Sequence, residues 1–340
     1  MTGLLATARE RWGAWDVGTR PPHSTVLLAM KREAAKATTA FLLDDRGEVV
    51  AVAKAARSGP GDAVLEKEAA AARSWHRNDW PLVRSSCPRV LDLTGDPGGR
   101  VLWLSAVPGT SMLVSYLGAG HLRRRGAVTA DFARAAAWLD ALQEQSQGER
   151  YSLDELQQLM DGTFAAYGGQ DPAVQELFAD ARTALAASCP DGVVSTAVHG
   201  DFWMGNLLVA QGRVTGVVDL ELSVERGLPM TDVLKLPLSY ALYLDTAGRC
   251  RPRPGTWAHL VGFEEVFLGT GHLARAAAAF VHGRMQRLGL EPASLRAFLP
   301  LVLAQQAVLQ RHDPVAADGY AQLLGVLARG RRTSWVWSPA

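Results

Sequence analysis

The sequence predicts an α+β fold with two lobes: a small antiparallel sheet with one helix, followed by a larger, mainly helical lobe. Runs of strand-forming residues concentrate in the first third of the chain, and helical periodicity dominates from about residue 129 onward. A length of 340 residues also favours two domains or lobes. We predict that the lobes comprise residues 1–105 and 106–340.

The small lobe begins with a predicted antiparallel hairpin. Residues 37–43 and 48–55 are rich in β-branched and small apolar types, and they flank DDRG, a turn signal. Strand side chains alternate between two faces, so Lys54 points the same way as Val50 and Val52. This position is unusual for a solvated lysine, although a lysine on an edge strand that faces water is the alternative.

A helix over 63–77 follows the hairpin, with Asp62 as its expected N-cap. Helical spacing puts Glu68 on the mostly apolar stripe and Glu66 on the polar stripe. We therefore expect Glu68 to face inward and Glu66 to face water. A further strand, VLWLSAV at 101–107, completes the small lobe.

The second lobe shows helical patterns at 129–147, 152–168 and 172–188, with several more between 229 and 330. The exception is 194–221, where short β-type runs surround HGD and a QG turn. The sequence contains no internal repeat and no low-complexity tract.

Composition excludes several classes of protein. A net charge of +1 implies no general affinity for nucleic acid or for an anionic membrane. No run approaches the roughly 18 apolar residues of a membrane span, and the N-terminus lacks the apolar core of a secretory signal. The three cysteines are odd in number and widely spaced, so they fit neither a disulfide framework nor a zinc cluster: Cys87, Cys189 and Cys250. We expect a soluble, cytoplasmic protein whose oligomeric state is open.

The strongest chemical signal is HGDFWMGN, His199 to Asn206, followed by GVVDLE with Asp219 and Glu221. Asp201 and Asn206 lie five residues apart on a tight loop, and the next hairpin carries a second carboxylate. Mg²⁺ prefers oxygen ligands, so Asn206 and Asp219 together with phosphate oxygens form a suitable set. Asp201 can accept a proton from an incoming hydroxyl.

This pattern, HGD-x-x-x-x-N followed by a hairpin and D-x-E, resembles the aminoglycoside phosphotransferase and choline kinase family, relatives of the protein kinases. The resemblance covers most of the chain. EVVAVAK, which ends at Lys54, looks like the third strand of the small lobe, and VLEKEAAAARSW, which contains Glu68, looks like its helix. VLWLSAVPGTSM looks like the hinge, and LPMTDVL looks like the segment that braces the catalytic loop through Asp232. The expected fold is therefore bilobal and protein-kinase-like.

The resemblance implies ATP-dependent phosphorylation of a hydroxyl on a small molecule. Lys54 would hold the α- and β-phosphates of ATP and be fixed by Glu68. Val52, Leu104 and Val107 would contact the nucleotide, with ATP and GTP as alternatives because backbone groups in the hinge decide between them.

The catalytic loop has its own implied roles. Asn206 and Asp219 would hold Mg²⁺, and Asp201 would orient and deprotonate the acceptor hydroxyl. His199 is expected to pack and to hydrogen-bond the loop rather than transfer protons. Three further residues have alternative roles: Glu221 as a second metal ligand or a structural carboxylate, Asp232 as a brace or a helix cap, and Trp203 as a wall of the acceptor pocket or a packing residue.

The sequence departs from the family pattern at three places. No glycine lies between Arg32 and Asp45, so the phosphate-covering loop KREAAKAT lacks the glycine-rich signature of protein kinases. Met204 stands where proline is frequent, which affects loop rigidity. Leu220 replaces the aromatic residue that often follows the metal-binding Asp.

The acceptor is constrained by two features. The segment from Asp219 to Asp232 is short and has no A-P-E signature, which argues against protein substrates. The segment 140–180 holds nine acidic residues, which favour a cationic aminosugar as acceptor. The alternative is that these residues lie on the solvent-exposed faces of amphipathic helices. An arginine-rich loop favours an anionic or neutral acceptor instead: Arg249, Arg251 and Arg253.

We therefore expect an aminoglycoside, a nucleoside or another sugar-containing antibiotic or natural product as acceptor. A primary-metabolite kinase for choline, homoserine or a sugar is the nearest alternative. A catalytically silent nucleotide-binding protein and an enzyme that transfers AMP are two others.

Overall fold

A computed structural model of the protein describes residues 3–17, 20–28, 37–56, 59–96, 99–248, 257, 259–330 and 336. Most of the KREAAKAT loop, 31–36, and the arginine-rich loop with Arg249, Arg251 and Arg253 lie outside these residues.

The chain divides into two compact units. The first comprises Met1–Thr110 and Leu208–Ser223, and the second comprises Ser111–Leu207 and Val224–Ala340. This division differs from continuous lobes at 1–105 and 106–340, because the hairpin after the HGD motif belongs with the first unit. The 3₁₀ turn Leu220–Leu222, which follows this hairpin, contacts the helix that carries Glu68.

The described residues form an α+β fold, with the sheet in the N-terminal region and helices through most of the rest. The strands are β1 Ser24–Leu28, β2 Ala37–Leu43, β3 Val49–Ala56, β4 Val90–Asp96, β5 Gly99–Ser105, β6 Thr110–Ser111, β7 Arg150–Tyr151, β8 Val193–Val194, β9 Thr196–Val198, β10 Leu207–Ala210, β11 Arg213–Val217 and β12 Val224–Gly227. The helices are α1 Gly3–Arg11, α2 Gly59–Arg77, α3 Pro81–Ser86, α4 Met112–Tyr116, α5 Arg125–Gln145, α6 Leu153–Tyr167, α7 Pro172–Ser188, α8 Met230–Leu242, α9 Leu260–Phe263, α10 His272–Arg287, α11 Leu295–Leu309 and α12 Pro314–Arg329.

The first unit is built on a five-stranded antiparallel sheet in the order β1-β2-β3-β5-β4. On one side, Trp15 of the N-terminal segment packs against Trp103 of β5, with ring centroids 5.1 Å apart. Leu65 of α2 is buried in a second cluster with Leu102 and Leu104 of β5. The sheet is thus covered by helical segments, as the apolar alternation of its strands requires.

The start of α2 differs from the sequence prediction. The helix begins at Gly59, so Asp62 lies in its first turn and is not its N-cap. Its Oδ1 instead accepts a hydrogen bond from the backbone N–H of Arg100 at 2.8 Å, which ties α2 to β5. Glu68 is buried, and Glu66 pairs with Arg100 at the surface, as the two stripes predicted.

The second unit is mainly helical, and its helix ends follow local sequence signals. Ser152 forms a capping box with Glu155 at the start of α6, and Asp171 caps α7 immediately before Pro172. The core of the unit includes most of α8 and α11, whose residues are buried around nearly the whole circumference.

One stretch among the described residues, Pro292–Leu309, meets the length and hydropathy expected of a membrane span, although the sequence was expected to contain none. It has a mean hydropathy of 1.2 and is 67% buried within the protein. Such burial is typical of a core helix.

Candidate active site

Lys54 lies at the centre of a charged cluster in the first unit. Its Nζ lies 2.6 and 2.7 Å from the two carboxylate oxygens of Glu68 and 2.8 Å from Oδ1 of Asp219. The Lys54 and Glu68 side chains are 16% and 3% exposed, and Asp219 is 38% exposed. Burial alone would lower the pKa of Lys54, but the charges of Asp219 and Glu68 outweigh burial and raise it. Lys54 is therefore protonated at neutral pH.

Strand register explains why Lys54 reaches α2. Its cross-strand partner on β5 is Leu102, which is buried in the cluster with Leu65 of α2. Cross-strand partners share a face of the sheet, so Lys54 also points toward α2. Glu68 is on the buried side of that helix, three residues after Leu65 and therefore one turn along.

Asp219 directly follows a tight hairpin formed by β10 and β11. The turn between β10 and β11 is Gln211-Gly212, both with positive φ, which is the conformation of a two-residue hairpin turn. Asp219 itself has φ +71° in the left-handed region. A non-glycine residue in this region is strained, and such strain clusters at functional sites. Glu221 follows half-buried in the 3₁₀ turn Leu220–Leu222.

The HGD motif forms a loop between β9 and β10 of the second unit, and Asp232 of α8 holds its backbone. The Asp232 carboxylate accepts hydrogen bonds from the N–H of His199 at 2.7 Å and of Gly200 at 2.9 Å. Gly200 has φ +80°, which favours glycine at this position. His199 is fully buried, and its Nδ1 accepts the N–H of Asp201 at 3.2 Å. Burial raises the pKa of Asp232 to about 6, against the opposing effect of His199.

Both oxygens of the Asp201 carboxylate are held. Oδ1 lies 2.9 Å from Nζ of Lys235, and Oδ2 accepts a hydrogen bond from Nδ2 of Asn206 at 3.2 Å. The same Asn206 nitrogen donates to the backbone oxygen of Asp201 at 3.0 Å. The two residues that the motif places five apart are thus in direct contact.

Sequence reasoning missed Lys235. It lies three residues after Asp232 on α8, so the two residues share one face of the helix and both contact the loop. The chain contains only five lysines, and a lysine within the apolar sequence VLKLPL was a signal that could have found it.

Trp203 lies on the same loop and has an aromatic neighbour that the sequence did not indicate. Its ring stacks on Tyr243 with centroids 5.2 Å apart and an angle of 26° between the planes. Both residues are half-buried. A partly exposed ring pair therefore lies within two residues of Asp201 along the loop.

The residues expected near the nucleotide base belong to the first unit. Leu104 is buried in the cluster with Leu65, so its side chain is a core residue. Val52 is partly buried against the same cluster, and Val107 is half-buried after β5.

The acidic segment 140–180 is largely occupied by structural contacts. Asp140 pairs with Arg284 at 2.6 Å, and Asp161 pairs with Arg182 at 2.6 Å. Glu155 and Asp171 serve as helix-capping residues. These contacts favour the alternative that the segment forms the outer faces of helices.

Known proteins resemble this chain in sequence pattern and in fold. The model of the phosphotransferase enzyme family matches residues 32–266, which is most of the chain. No curated protein sequence matches.

Two solved structures are similar over nearly their whole length. The macrolide 2'-phosphotransferase MphH from Brachybacterium faecium has a TM-score of 0.55 and 16% identity, covering 95% of this chain and 98% of its own. The gentamicin complex of APH(2")-IIa has a TM-score of 0.50 and 13% identity, covering 94% and 95%. The sheet, the helical region and the family match together show that the chain belongs to the phosphotransferase enzyme family and has its protein-kinase-like fold.

Proposed function

We propose that the protein is an ATP-dependent kinase that transfers a phosphoryl group to a hydroxyl of a small molecule. The observation that carries this proposal is the Lys54 cluster, a buried lysine held by two carboxylates. Phosphoryl transfer needs positioning and charge neutralisation more than covalent chemistry. In this proposal Lys54 holds the α- and β-phosphates and Glu68 fixes its position, with Val52 and the backbone from Leu104 to Val107 around the base.

The proposed metal is Mg²⁺, held by Asp219 and Asn206. Within the described residues, no group of three or more His, Cys, Asp or Glu side chains could hold a metal ion. Oxygen donors in small number suit Mg²⁺, which is bound through one or two protein ligands, waters and substrate phosphates. When bound, the ion would neutralise phosphate charge. Glu221 stays an additional candidate ligand.

Asp201 is the proposed base. Its carboxylate is oriented by Asn206 and Lys235, and its backbone is fixed through His199 and Asp232. A carboxylate in this position would accept the proton of the acceptor hydroxyl as the oxygen attacks the γ-phosphate. Trp203, with Tyr243 stacked on it, is proposed to contact the acceptor.

We propose a sugar-containing antibiotic or related natural product as acceptor. Similar structures are named for phosphorylation of a macrolide or for a complex with gentamicin, and these names support an antibiotic. Because carboxylates of the acidic segment pair with arginines outside it, the segment no longer favours a polycationic acceptor. The panel of acceptors should therefore include neutral and weakly charged compounds.

The test is incubation with MgATP and a panel of macrolides, aminoglycosides, nucleoside antibiotics, choline, homoserine and simple sugars, followed by mass spectrometry. Asp201→Asn serves as the matched variant because it removes the charge and keeps the shape. A phosphorylated product that disappears in the variant, with MgATP binding retained, supports the proposal and identifies the acceptor. An adenylylated product would show AMP transfer, and binding of MgATP with no turnover would indicate a silent nucleotide-binding protein.

A further inference from the structure

We infer that Lys235 is a positioning residue that holds Asp201 in the orientation needed for proton transfer; this inference rests on the proposed function. Lys235 Nζ lies 2.9 Å from Oδ1 of Asp201 and 2.6 Å from Oε1 of Gln306 on α11. The Lys235 side chain is 11% exposed, and Gln306 is buried. The ammonium is thus fixed by a carboxylate on one side and a neutral amide on the other.

One turn of α8 carries two charges of opposite sign to the same loop. Asp232 accepts hydrogen bonds from two backbone N–H groups of the loop. Lys235, three residues later, forms an ion pair with the carboxylate of Asp201 on the same loop. The first contact fixes the backbone at His199 and Gly200, and the second fixes the Asp201 side chain. Asn206 holds the other oxygen of that carboxylate, so its two oxygens are held from different elements.

A buried lysine needs a physical reason. Burial lowers the pKa of a lysine and costs free energy, because the ammonium loses its water shell. In this case burial is outweighed by Asp201 together with smaller effects of Tyr320 and Asp232, and the pKa of Lys235 is raised. The other titratable groups that act on this pair are Asp232 on the same helix and Tyr320 on α12.

Stability alone does not account for this arrangement. A buried ion pair is often no better for stability than apolar residues of similar size. Methionine has nearly the shape of lysine, and Asp201 is 27% exposed, so its charge would keep access to water without Lys235. If Lys235 served packing only, Lys235→Met would be tolerated. If it positions Asp201, the variant would fold and turn over slowly.

The experiment compares Lys235→Met, Lys235→Arg and the control Arg284→Met. Arg284 is a suitable control because it forms an ion pair with Asp140 at 2.6 Å in the same unit and is 14% exposed. For each variant, kcat, the KM for the acceptor found in the panel, the Kd for MgATP and the melting temperature are measured. ATP hydrolysis with water as acceptor is measured in parallel, so that the comparison does not depend on one acceptor.

Lys235→Met is expected to lower kcat by about 10²-fold, the cost of a misplacement of about 1 Å, with the Kd for MgATP unchanged. Lys235→Arg keeps the charge and is expected to regain part of the loss. The inference is overturned if Lys235→Met lowers kcat no more than Arg284→Met does while Asp201→Asn is inactive. If the wild-type protein transfers phosphate neither to any acceptor nor to water, the proposed function itself fails, and this role with it.

Discussion

The Lys54–Glu68 pair gives a prediction whose size follows from burial. Glu68 is 3% exposed, and both of its oxygens lie within 2.7 Å of Lys54 Nζ. Removing one partner of a buried ion pair costs about 3–5 kcal/mol, because the remaining charge stays away from water. Lys54→Met should therefore lower the free energy of unfolding by about 3–5 kcal/mol. Asp219 should add little to this loss because it is 38% exposed and retains access to water.

The double variant Lys54→Met with Glu68→Leu distinguishes the energy of the ion pair from the cost of leaving one buried charge without its partner. It replaces two buried charges by apolar residues of similar volume, which is often neutral or stabilising. The double variant should therefore be more stable than Lys54→Met alone. With Glu68→Leu as the second single variant, the two substitutions should show a coupling energy of about 0.5–3 kcal/mol. MgATP binding should be lost in both variants, because the proposed contact between Lys54 and the phosphates is absent.

The assay is urea unfolding followed by circular dichroism, with Lys67→Met as the control. Lys67 is exposed on the same helix as Glu68, so its substitution should change stability by less than about 0.5 kcal/mol. The raised pKa of Lys54 means that its stabilisation is complete below its ordinary pKa of 10.5 and is lost only as pH rises through the folded-state value. The loss in Lys54→Met should thus be equal at about pH 7 and about pH 9. Additive single substitutions, or a loss in Lys54→Met no larger than in Lys67→Met, would refute this account.

Three further predictions concern the second unit. Asp232 has a pKa of about 6 against an ordinary 3.8, so the folded state binds this proton more tightly and loses stability as pH rises between these values. The free energy of unfolding of the wild type, measured relative to that of Asp232→Asn, which cannot titrate, should fall by up to about 3 kcal/mol from about pH 4 to about pH 7 in urea unfolding. Gly192→Ala should cost more than about 2 kcal/mol, because φ is +72° and the new Cβ would lie 1.8 Å from the backbone oxygen of Tyr151. Its control, Gly283→Ala on an open helix face, should be neutral or stabilising, and equal melting temperatures would contradict the argument. Ser152→Ala should cost about 1 kcal/mol through loss of the capping box, and a loss of helicity by circular dichroism with no change in melting temperature would count against it.

Much of the fold could be predicted because it depends on local periodicity. The period of two residues put Lys54 on the same face as Val52, and the helical period put Glu68 on the inward stripe of α2. Both predictions describe short segments, in which the geometry of a strand or helix decides where a side chain points. The capping signals of α6 and α7 are local for the same reason. The alternation failed for Val50, which packs in the cluster with Ala51 and Ala53 because the register between β2 and β3 shifts beside it. The N-cap of α2 was predicted wrongly because Asp62 is used by a long-range contact to β5.

The HGD-x-x-x-x-N spacing by itself determined that Asp201 and Asn206 lie on one loop, and the order of the motifs determined the family. Only the tertiary structure decided that Lys54 meets Asp219, 165 residues away, and that Lys235 of α8 holds Asp201. It also decided that the acidic segment pairs with arginines distant in sequence. The physical reason is that periodicity fixes the direction of a side chain within its own element. Which elements pack together depends on burial of the whole core, and this information is spread over the entire chain.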